Sequence, residues 1–90
     1  MTRYFFHVRD GQALPDRIGT VLPSLVAAKQ HAVHLTGQLL KDDTGAFWNG
    51  EEWHMEVVDE AGLVLFTLDF IATEAPVMRV ERRVGEERKE

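Results

Sequence analysis

The chain has 90 residues, of which 44% are hydrophobic and 28% are charged, with 7 Gly, 3 Pro and no Cys. These values are typical of a single soluble globular domain, and they exclude a collagen-like chain, a disordered low-complexity chain and a disulfide-stabilised scaffold. The net charge of −5 argues against a protein that coats DNA, because nonspecific phosphate binding needs a basic surface.

Residues 4–9 predict a first β-strand, since aromatic and β-branched side chains dominate this segment. The alternation of a strand separates its side chains into two faces, with Tyr4, Phe6 and Val8 on one and Phe5, His7 and Arg9 on the other. Residues 12–17 are predicted to form a loop, and residues 18–22 are predicted to return as a short strand at a sheet edge.

A long helix is the clearest predicted element. Ser24 is a suitable N-cap, because its hydroxyl can accept a hydrogen bond from a free amide of the first turn. The apolar residues that follow recur at spacings of three and four, which predicts a single buried stripe. The stripe comprises Leu25, Ala28, Ala32, Leu35 and Leu39. The helix is predicted to end near Lys41, whose positive charge suits the negative end of the helix dipole.

A β-hairpin is predicted for residues 53–70, after a turn at residues 47–52. Trp53, Met55 and Val57 alternate with His54, Glu56 and Val58 in the first strand. Residues 59–62 form the reverse turn, in which Gly62 can adopt a positive φ. In the second strand, Val64, Phe66, Leu68 and Phe70 form the inner face, and Leu63, Leu65, Thr67 and Asp69 form the outer face.

The order of elements, ββαββ, predicts an α+β fold in which an antiparallel sheet of about four strands carries one helix on one face. We assign residues 1–73 to this domain and residues 74–90 to a charged tail, either a short helix or a disordered segment. Residues 1–78 carry a net charge of −6, and residues 79–90 carry +1. No signal peptide or apolar run of about 20 residues is visible, so we expect a cytoplasmic protein.

Several motifs resemble a known bacterial family. The series comprises Arg3-Tyr4-Phe5-Phe6-His7-Val8-x-Asp10-Gly11, Asp16-x-x-Gly19, Leu22-Pro23, Ala27-Ala28, Phe47-Trp48-Asn49-Gly50-Glu51-Glu52-Trp53-x-Met55-Glu56-Val57 and Asp59-x-x-Gly62-x-x-Leu65-Phe66-x-Leu68. Together these motifs are similar to domain-of-unknown-function family 6894, small proteins common in rhizobia and related bacteria. The resemblance covers about residues 3–72 and implies no catalytic residue, cofactor or substrate. Ser24 replaces the acidic residue that follows the proline in many relatives, and both residue types cap helices.

The aromatic and acidic segment at residues 47–53 is one candidate site. Trp48, Asn49, Glu51 and Glu52 could form a partner-binding loop, in which the indole supplies apolar surface and the carboxylates select a cationic partner. Alternatively, Phe47 or Trp48 fills the end of the core while the two glutamates are solvated.

The histidines suggest a second candidate site. His7, His54, Glu56 and Asp69 are predicted to share the outer face of the sheet, where they could bind a metal or perform acid–base chemistry. The alternative is a wet face with ordinary cross-strand polar pairs. His31 and His34 are three residues apart on the helix and lack the zinc-binding spacing, so we predict that both are solvated. We assign no catalytic residue, metal or cofactor.

The outer face also suggests self-association. It carries four large apolar residues: Phe5, Val58, Leu63 and Leu65. A folded part of about 70 residues without a disulfide or metal has a small core and is marginally stable alone. These observations predict a homodimer formed through the outer face or a strand edge.

Three functions remain open. The first is a non-enzymatic interaction or regulatory module that associates with itself and has a possible further protein partner. The second is a small-ligand- or metal-dependent enzyme with a site on the sheet face or at a dimer interface, built from His7, His54, Glu56 and Asp69. The third is RNA binding on the sheet with Tyr4, Phe5 and Arg residues as a stacking platform, which the acidic body disfavours. The absence of a nucleophile motif favours a non-enzymatic role.

Overall fold

The computed structural model describes residues 1–42, 44–50 and 52–76. Within them the chain forms β1 (Thr2–Arg9), β2 (Ala13–Leu14), β3 (Thr20–Leu22), α1 (Leu25–Asp42), α2 (Thr44–Gly50), β4 (Glu52–Val58) and β5 (Val64–Ile71). The predicted α+β fold, an antiparallel sheet with one long helix on one face, is confirmed. Most of the predicted tail, residues 77–90, lies outside the described residues.

The sheet has the strand order β2-β1-β4-β5, and all neighbouring strands are antiparallel. β3 pairs with the first half of β1, on the same side as β2, which pairs with its second half. Phe6 lies between these two pairings, opposite neither short strand. The sheet therefore has a divided edge at β1, while its opposite edge is the eight-residue strand β5.

The core lies between α1 and the inner faces of β1 and β4. Its buried side chains are Tyr4, Phe6, Val8, Ala28, Ala32, Phe47, Trp53, Met55 and Val57. The inner face of β5 is covered less well, because Phe66 and Leu68 are half-buried and Phe70 is 50% exposed. The helix thus covers two strands of the sheet and leaves the inner face of the third partly open.

The helix α1 begins as the sequence predicts. The Ser24 hydroxyl accepts a hydrogen bond from the Ala27 amide at 3.1 Å, and the Ser24 carbonyl accepts one from the Ala28 amide at 3.0 Å. Ala28 and Ala32 are fully buried. The two ends of the predicted stripe differ from the prediction, since Leu25 and Leu39 are exposed.

The last turn of α1 packs through a different residue. Leu40, which the predicted stripe does not include, contacts the core in place of Leu39. The Thr36 hydroxyl bonds to the Ala32 carbonyl at 2.7 Å and lies 4.0 Å from the Met55 sulfur. The side of the helix that faces β4 therefore carries Thr36 and Leu40 beside the two alanines.

The predicted turn at residues 47–52 is wrong. Thr44–Gly50 forms the helix α2, and β4 already begins at Glu52. Phe47 is buried, and its ring centroid lies 5.6 Å from that of Trp48 and 5.4 Å from that of Phe70. This arrangement agrees with the alternative in which an aromatic residue of this segment fills the end of the core, and that residue is Phe47.

The hairpin β4–β5 has the predicted turn and an unpredicted bulge. Asp59 Oδ1 accepts hydrogen bonds from the amides of Ala61 and Leu63, both at 2.9 Å, and Gly62 has φ 84°. Val58 pairs with Val64 and Val57 pairs with Phe66, so Leu65 is the extra residue. Because a bulge breaks the alternation of a strand, Leu65 packs against the core, and its predicted position on the outer face is wrong.

Candidate functional site

A row of polar side chains crosses the outer face of the sheet. The register places His7 opposite Glu56, and it places His54 between Arg9 on β1 and Asp69 on β5. Directly opposed residues on antiparallel strands have Cβ atoms about 5 Å apart, which is within reach of hydrogen bonding between long side chains. The four sheet-face candidates therefore occupy neighbouring positions on three strands.

His54 and Asp69 form the closest polar contact of this row. His54 Nδ1 lies 2.5 Å from Asp69 Oδ1, and the side chains are 38% and 53% exposed. When Nδ1 carries the proton it donates to the carboxylate, and the imidazole then presents Nε2 to solvent as an acceptor. A carboxylate-oriented imidazole is suited to accepting a proton, although an exposed pair of this kind adds little to stability.

An open cleft of about 390 Å³ adjoins this pair. Its lining comprises Arg9, Gly11, Gly50, Glu52, Trp53, His54 and Asp69. Across residues 1–42, 44–50 and 52–76, the Arg9 guanidinium has no hydrogen-bond or ion-pair partner. The cleft thus offers a free cation beside an imidazole, with the Glu52 carboxylate also in its wall.

His7 and Glu56 lie outside this cleft. They line a smaller depression of about 100 Å³ between β1 and β2, to which Arg9 and His54 also contribute. His7 Nδ1 accepts a hydrogen bond from the Asp16 amide at 3.0 Å, and the His7 ring stacks on Phe5 with centroids 6.5 Å apart. The structure therefore joins His54 to Asp69, whereas His7 is engaged in holding the first loop.

Asp16 organises that loop in an arrangement that we call the Asp16 clasp. Asp16 Oδ2 accepts from the Phe6 amide at 3.1 Å, and Oδ1 accepts from the amides of Ile18 at 3.0 Å and Gly19 at 2.9 Å. Arg3 adds a hydrogen bond of 2.9 Å to the Ile18 carbonyl. The clasp fills the gap between β2 and β3 and supplies the Phe6 amide with the acceptor that neither strand provides.

The clasp lowers the pKa of the Asp16 carboxyl. Partial burial raises this pKa, but the hydrogen bonds from the amides of Gly19, Phe6 and Ile18, together with the nearby His7, outweigh burial and bring it below the ordinary carboxyl value. The carboxylate form is therefore the one that the fold stabilises.

The predicted partner-binding loop is divided by the structure. Trp48 is 55% exposed at the surface of α2, and Glu52 is exposed at the start of β4. Asn49 belongs to α2, and Glu51 lies outside the described residues. Trp53, the second indole of this segment, is buried in the core. Trp48 is thus the member of the set that presents a large apolar surface to solvent.

The predicted dimer face is largely covered within one chain. Val58 is buried, and Phe5 is half-buried beneath Gly19, where an added Cβ would lie 2.9 Å from the Phe5 ring. Leu65 packs against the core, so Leu63 is the exposed member of the predicted set. Exposed apolar side chains occur at several places on the described surface, and those on β5 and α2 comprise Val64, Phe70, Ile71 and Trp48.

Other predicted sites have mixed outcomes. His34 is exposed as predicted, whereas His31 is half-buried with its ring 4.9 Å from that of Phe6. Tyr4 is buried, so of the two aromatic rings in the RNA-binding hypothesis only Phe5 could stack on a base. In the described ranges, no three His, Cys, Asp or Glu side chains converge in a metal-binding arrangement, and no helix is long and apolar enough to cross a membrane.

Two functional residues were missed by sequence reasoning. Arg9 was assigned to the outer face but not to a site, although its position beside His54 follows once β1 is placed next to β4. Asp16 was named only as part of the Asp16-x-x-Gly19 motif, and no role was predicted for it. The Asp16-x-x-Gly19 spacing is the signal for its local bonds, because a carboxylate that caps a turn bonds to amides two or three residues onward.

Comparison with known proteins identifies a family. The model of a family described as "Domain of unknown function (DUF6894)" matches residues 3–71. This match ends with β5 and includes the Asp16 clasp and the cleft-lining residues. No curated protein and no solved structure matches the chain.

Proposed function

The chain belongs to the DUF6894 family, a domain of unknown function, and we propose from its surface that it is a non-enzymatic interaction module that associates with itself. The observation that carries the proposal is the apolar surface at β5 and α2. Phe70 and Trp48 are about half exposed there, and both contact the buried Phe47. Exposed aromatic side chains anchored on a buried one are typical of interaction surfaces.

The small core supports self-association. The only fully buried large side chains among the described residues are Met55 and Val57, and the helix contributes two alanines to the centre of its contact. A domain of this size without a disulfide or metal has little stability to spare. Covering the open inner face of β5 with a second copy would bury apolar surface that one chain leaves in water.

Sedimentation of the unmodified chain tests the proposal. We expect a reversible dimer that forms with increasing concentration in the micromolar range and dissociates on dilution, because a small interface gives modest affinity. A stable monomer at concentrations up to hundreds of micromolar would contradict self-association. The bacterial origin and the cytoplasmic location stay predictions.

The contact between His54 and Asp69 favours a second candidate, a small-ligand enzyme with a His/carboxylate site at the outer face. The free Arg9 guanidinium in the same cleft suits this candidate, since it can pair with an anionic group of a ligand. A metal is not needed for the chemistry, because an imidazole held by a carboxylate can itself accept a proton.

A thermal-shift screen with small carboxylates and phosphates separates the two candidates. The second candidate predicts a ligand that raises the melting temperature of the native chain and loses this effect in His54→Gln and Arg9→Gln. His34→Gln is the matched control, because His34 is exposed on α1, away from the cleft. If no compound shifts the melting temperature at millimolar concentration, the second candidate fails.

A further inference from the structure

The direction of the β5 backbone groups follows from one hydrogen bond at the other side of the sheet. The Phe6 amide donates to Asp16, so it points away from β4. In an antiparallel ladder the residues that point toward a given neighbour alternate. His7 and Arg9 therefore hydrogen-bond to β4, and their partners Glu56 and His54 point toward β1.

The same alternation continues across β4 to the free edge. Met55 and Trp53 must point toward β5, where their partners are Leu68 and Phe70. The residues that alternate with these partners along β5 therefore direct their backbone N–H and C=O groups away from the sheet. They are Thr67, Asp69 and Ile71. No described strand lies on that side, so within residues 1–42, 44–50 and 52–76 these groups remain available to pair with another chain.

This edge lacks the features that usually prevent strand pairing. Edge strands are commonly protected by lysine, proline or a short length. β5 has eight residues, with the sequence VLFTLDFI, and contains neither lysine nor proline. Its single charged side chain, Asp69, is engaged by His54 on the outer face. The bulge at Leu65 lies near one end and leaves the segment from Phe66 to Ile71 regular.

We propose that β5 pairs in antiparallel orientation with β5 of a second copy, about a two-fold axis that passes beside Leu68. The proposal rests on the proposed function and names its partner and geometry. The two sheets join into one continuous sheet, and the two-fold axis, perpendicular to it, places both α1 helices on the same face. The open inner face of each β5 then lies beside that of the other copy, on the side of the joined sheet that carries the helices.

The register follows from the side chains. With Leu68 opposite the partner's Leu68, Phe66 lies opposite the partner's Phe70 on the inner face. On the outer face, Thr67 lies opposite the partner's Asp69, where its hydroxyl can donate to the carboxylate. Aromatic, aliphatic and hydroxyl–carboxylate pairs are all favourable cross-strand combinations.

The neighbouring registers that also align the outward backbone groups are less favourable. A shift in one direction places Asp69 opposite the partner's Asp69, and like charges that face each other directly are destabilising. A shift in the other direction places Thr67 opposite the partner's Thr67 and leaves Phe70 opposite the partner's Val64, which removes the aromatic pair. Charge and side-chain size therefore select the register centred on Leu68.

Two variants at the same position test the pairing by sedimentation velocity. Thr67→Pro removes an outward N–H that makes no hydrogen bond within the described part of one chain, so the variant should fold but stay monomeric at concentrations where the unmodified chain dimerises. Thr67→Ala is the matched control, since it keeps the N–H and should still dimerise. Circular dichroism verifies that Thr67→Pro is folded.

Cysteine crosslinking provides a test that does not depend on the proline variant. The chain has no cysteine, so each introduced thiol is unique. In the proposed register, Leu68 faces the partner's Leu68 in a non-hydrogen-bonded pair. The Cα atoms of such a pair lie about 4.5 Å apart, a distance that a disulfide can span. Mild oxidation should crosslink most of a Leu68→Cys sample, whereas Val33→Cys, exposed on α1, should stay monomeric on denaturing gels.

The outcomes separate this proposal from the proposed function. An unmodified chain that is monomeric throughout overturns both. If the unmodified chain dimerises and a folded Thr67→Pro dimerises equally, with no preferential Leu68→Cys crosslink, self-association stands and the β5 pairing is overturned. Loss of the dimer in Thr67→Pro but not in Thr67→Ala, together with the Leu68→Cys crosslink, supports the pairing. If Thr67→Pro does not fold, the crosslink alone decides.

Discussion

Gly19→Ala is expected to lower the free energy of unfolding by about 2–4 kcal/mol, with both backbone strain and steric overlap contributing. Gly19 has φ 78°, which alanine rarely adopts. A Cβ atom at this position would lie 2.8 Å from Arg3 Cγ, 2.9 Å from the Phe5 ring and 3.0 Å from the Tyr4 carbonyl oxygen. The carbonyl belongs to β1 and cannot move without disturbing the sheet.

Gly11→Ala is the matched control for this effect. Gly11 has φ 80°, but a Cβ there would meet nothing within 4 Å. We therefore expect a loss of only about 1 kcal/mol, which represents the backbone strain alone. Urea denaturation of both variants measures the difference. Equal losses would show that the contact between Gly19 and β1 contributes nothing to the cost.

Asp16→Ala is expected to have the second largest effect, a loss of about 2 kcal/mol at neutral pH. The substitution leaves the amides of Phe6, Ile18 and Gly19 without their acceptor. Unpaired amides at a partly solvated site cost about 1–3 kcal/mol, which water reduces but does not remove. Asp10→Ala is the control, because the Asp10 carboxylate has no hydrogen-bond partner within the described part of the chain.

The effect of Asp16→Ala should diminish in acid. The pKa of Asp16 is lowered in the folded state, so its stabilising contribution is complete above the ordinary carboxyl pKa of about 3.9. This contribution is lost as the pH falls through the lowered folded value. Urea midpoints measured from pH 7 down to pH 2 should therefore differ by a constant amount above the ordinary carboxyl pKa, and they should converge for the unmodified chain and Asp16→Ala below it. A constant difference over this range would contradict the role of the carboxylate.

Local patterns explain why much of the fold is predictable. The helix α1 and the hairpin β4–β5 are each specified by periodicity and by capping or turn residues within the segment itself, such as Ser24 and Gly62. α2 and β2 lack such signals. α2 contains two glycines and is stabilised by the burial of Phe47, and the two residues of β2 are held by their pairing with Val8 and Arg9.

The candidate site shows the same division. The placement of His54 and Asp69 on one face follows from the alternation of two adjacent strands, whereas their direct pairing also depends on the register shift at the bulge. The contacts of Asp16 with Phe6 and His7 depend on how a loop returns to a distant strand, which no spacing specifies. Leu65 was misplaced because one extra residue reverses the parity of a strand.

The alanines at the centre of α1 link the packing of this helix to the exposure of β5. Ala28 and Ala32 are fully buried, and small side chains allow a helix to lie close to the sheet beneath it. A helix about 10 Å wide covers two strands spaced about 5 Å apart, which here are β1 and β4. The close approach of the helix to these strands keeps its flanking side chains from spreading over β5. The width of the apolar surface that stays open on β5 is thus determined by residues of another element. Natural selection acting on the packing of α1 therefore also acts on how much of β5 is exposed.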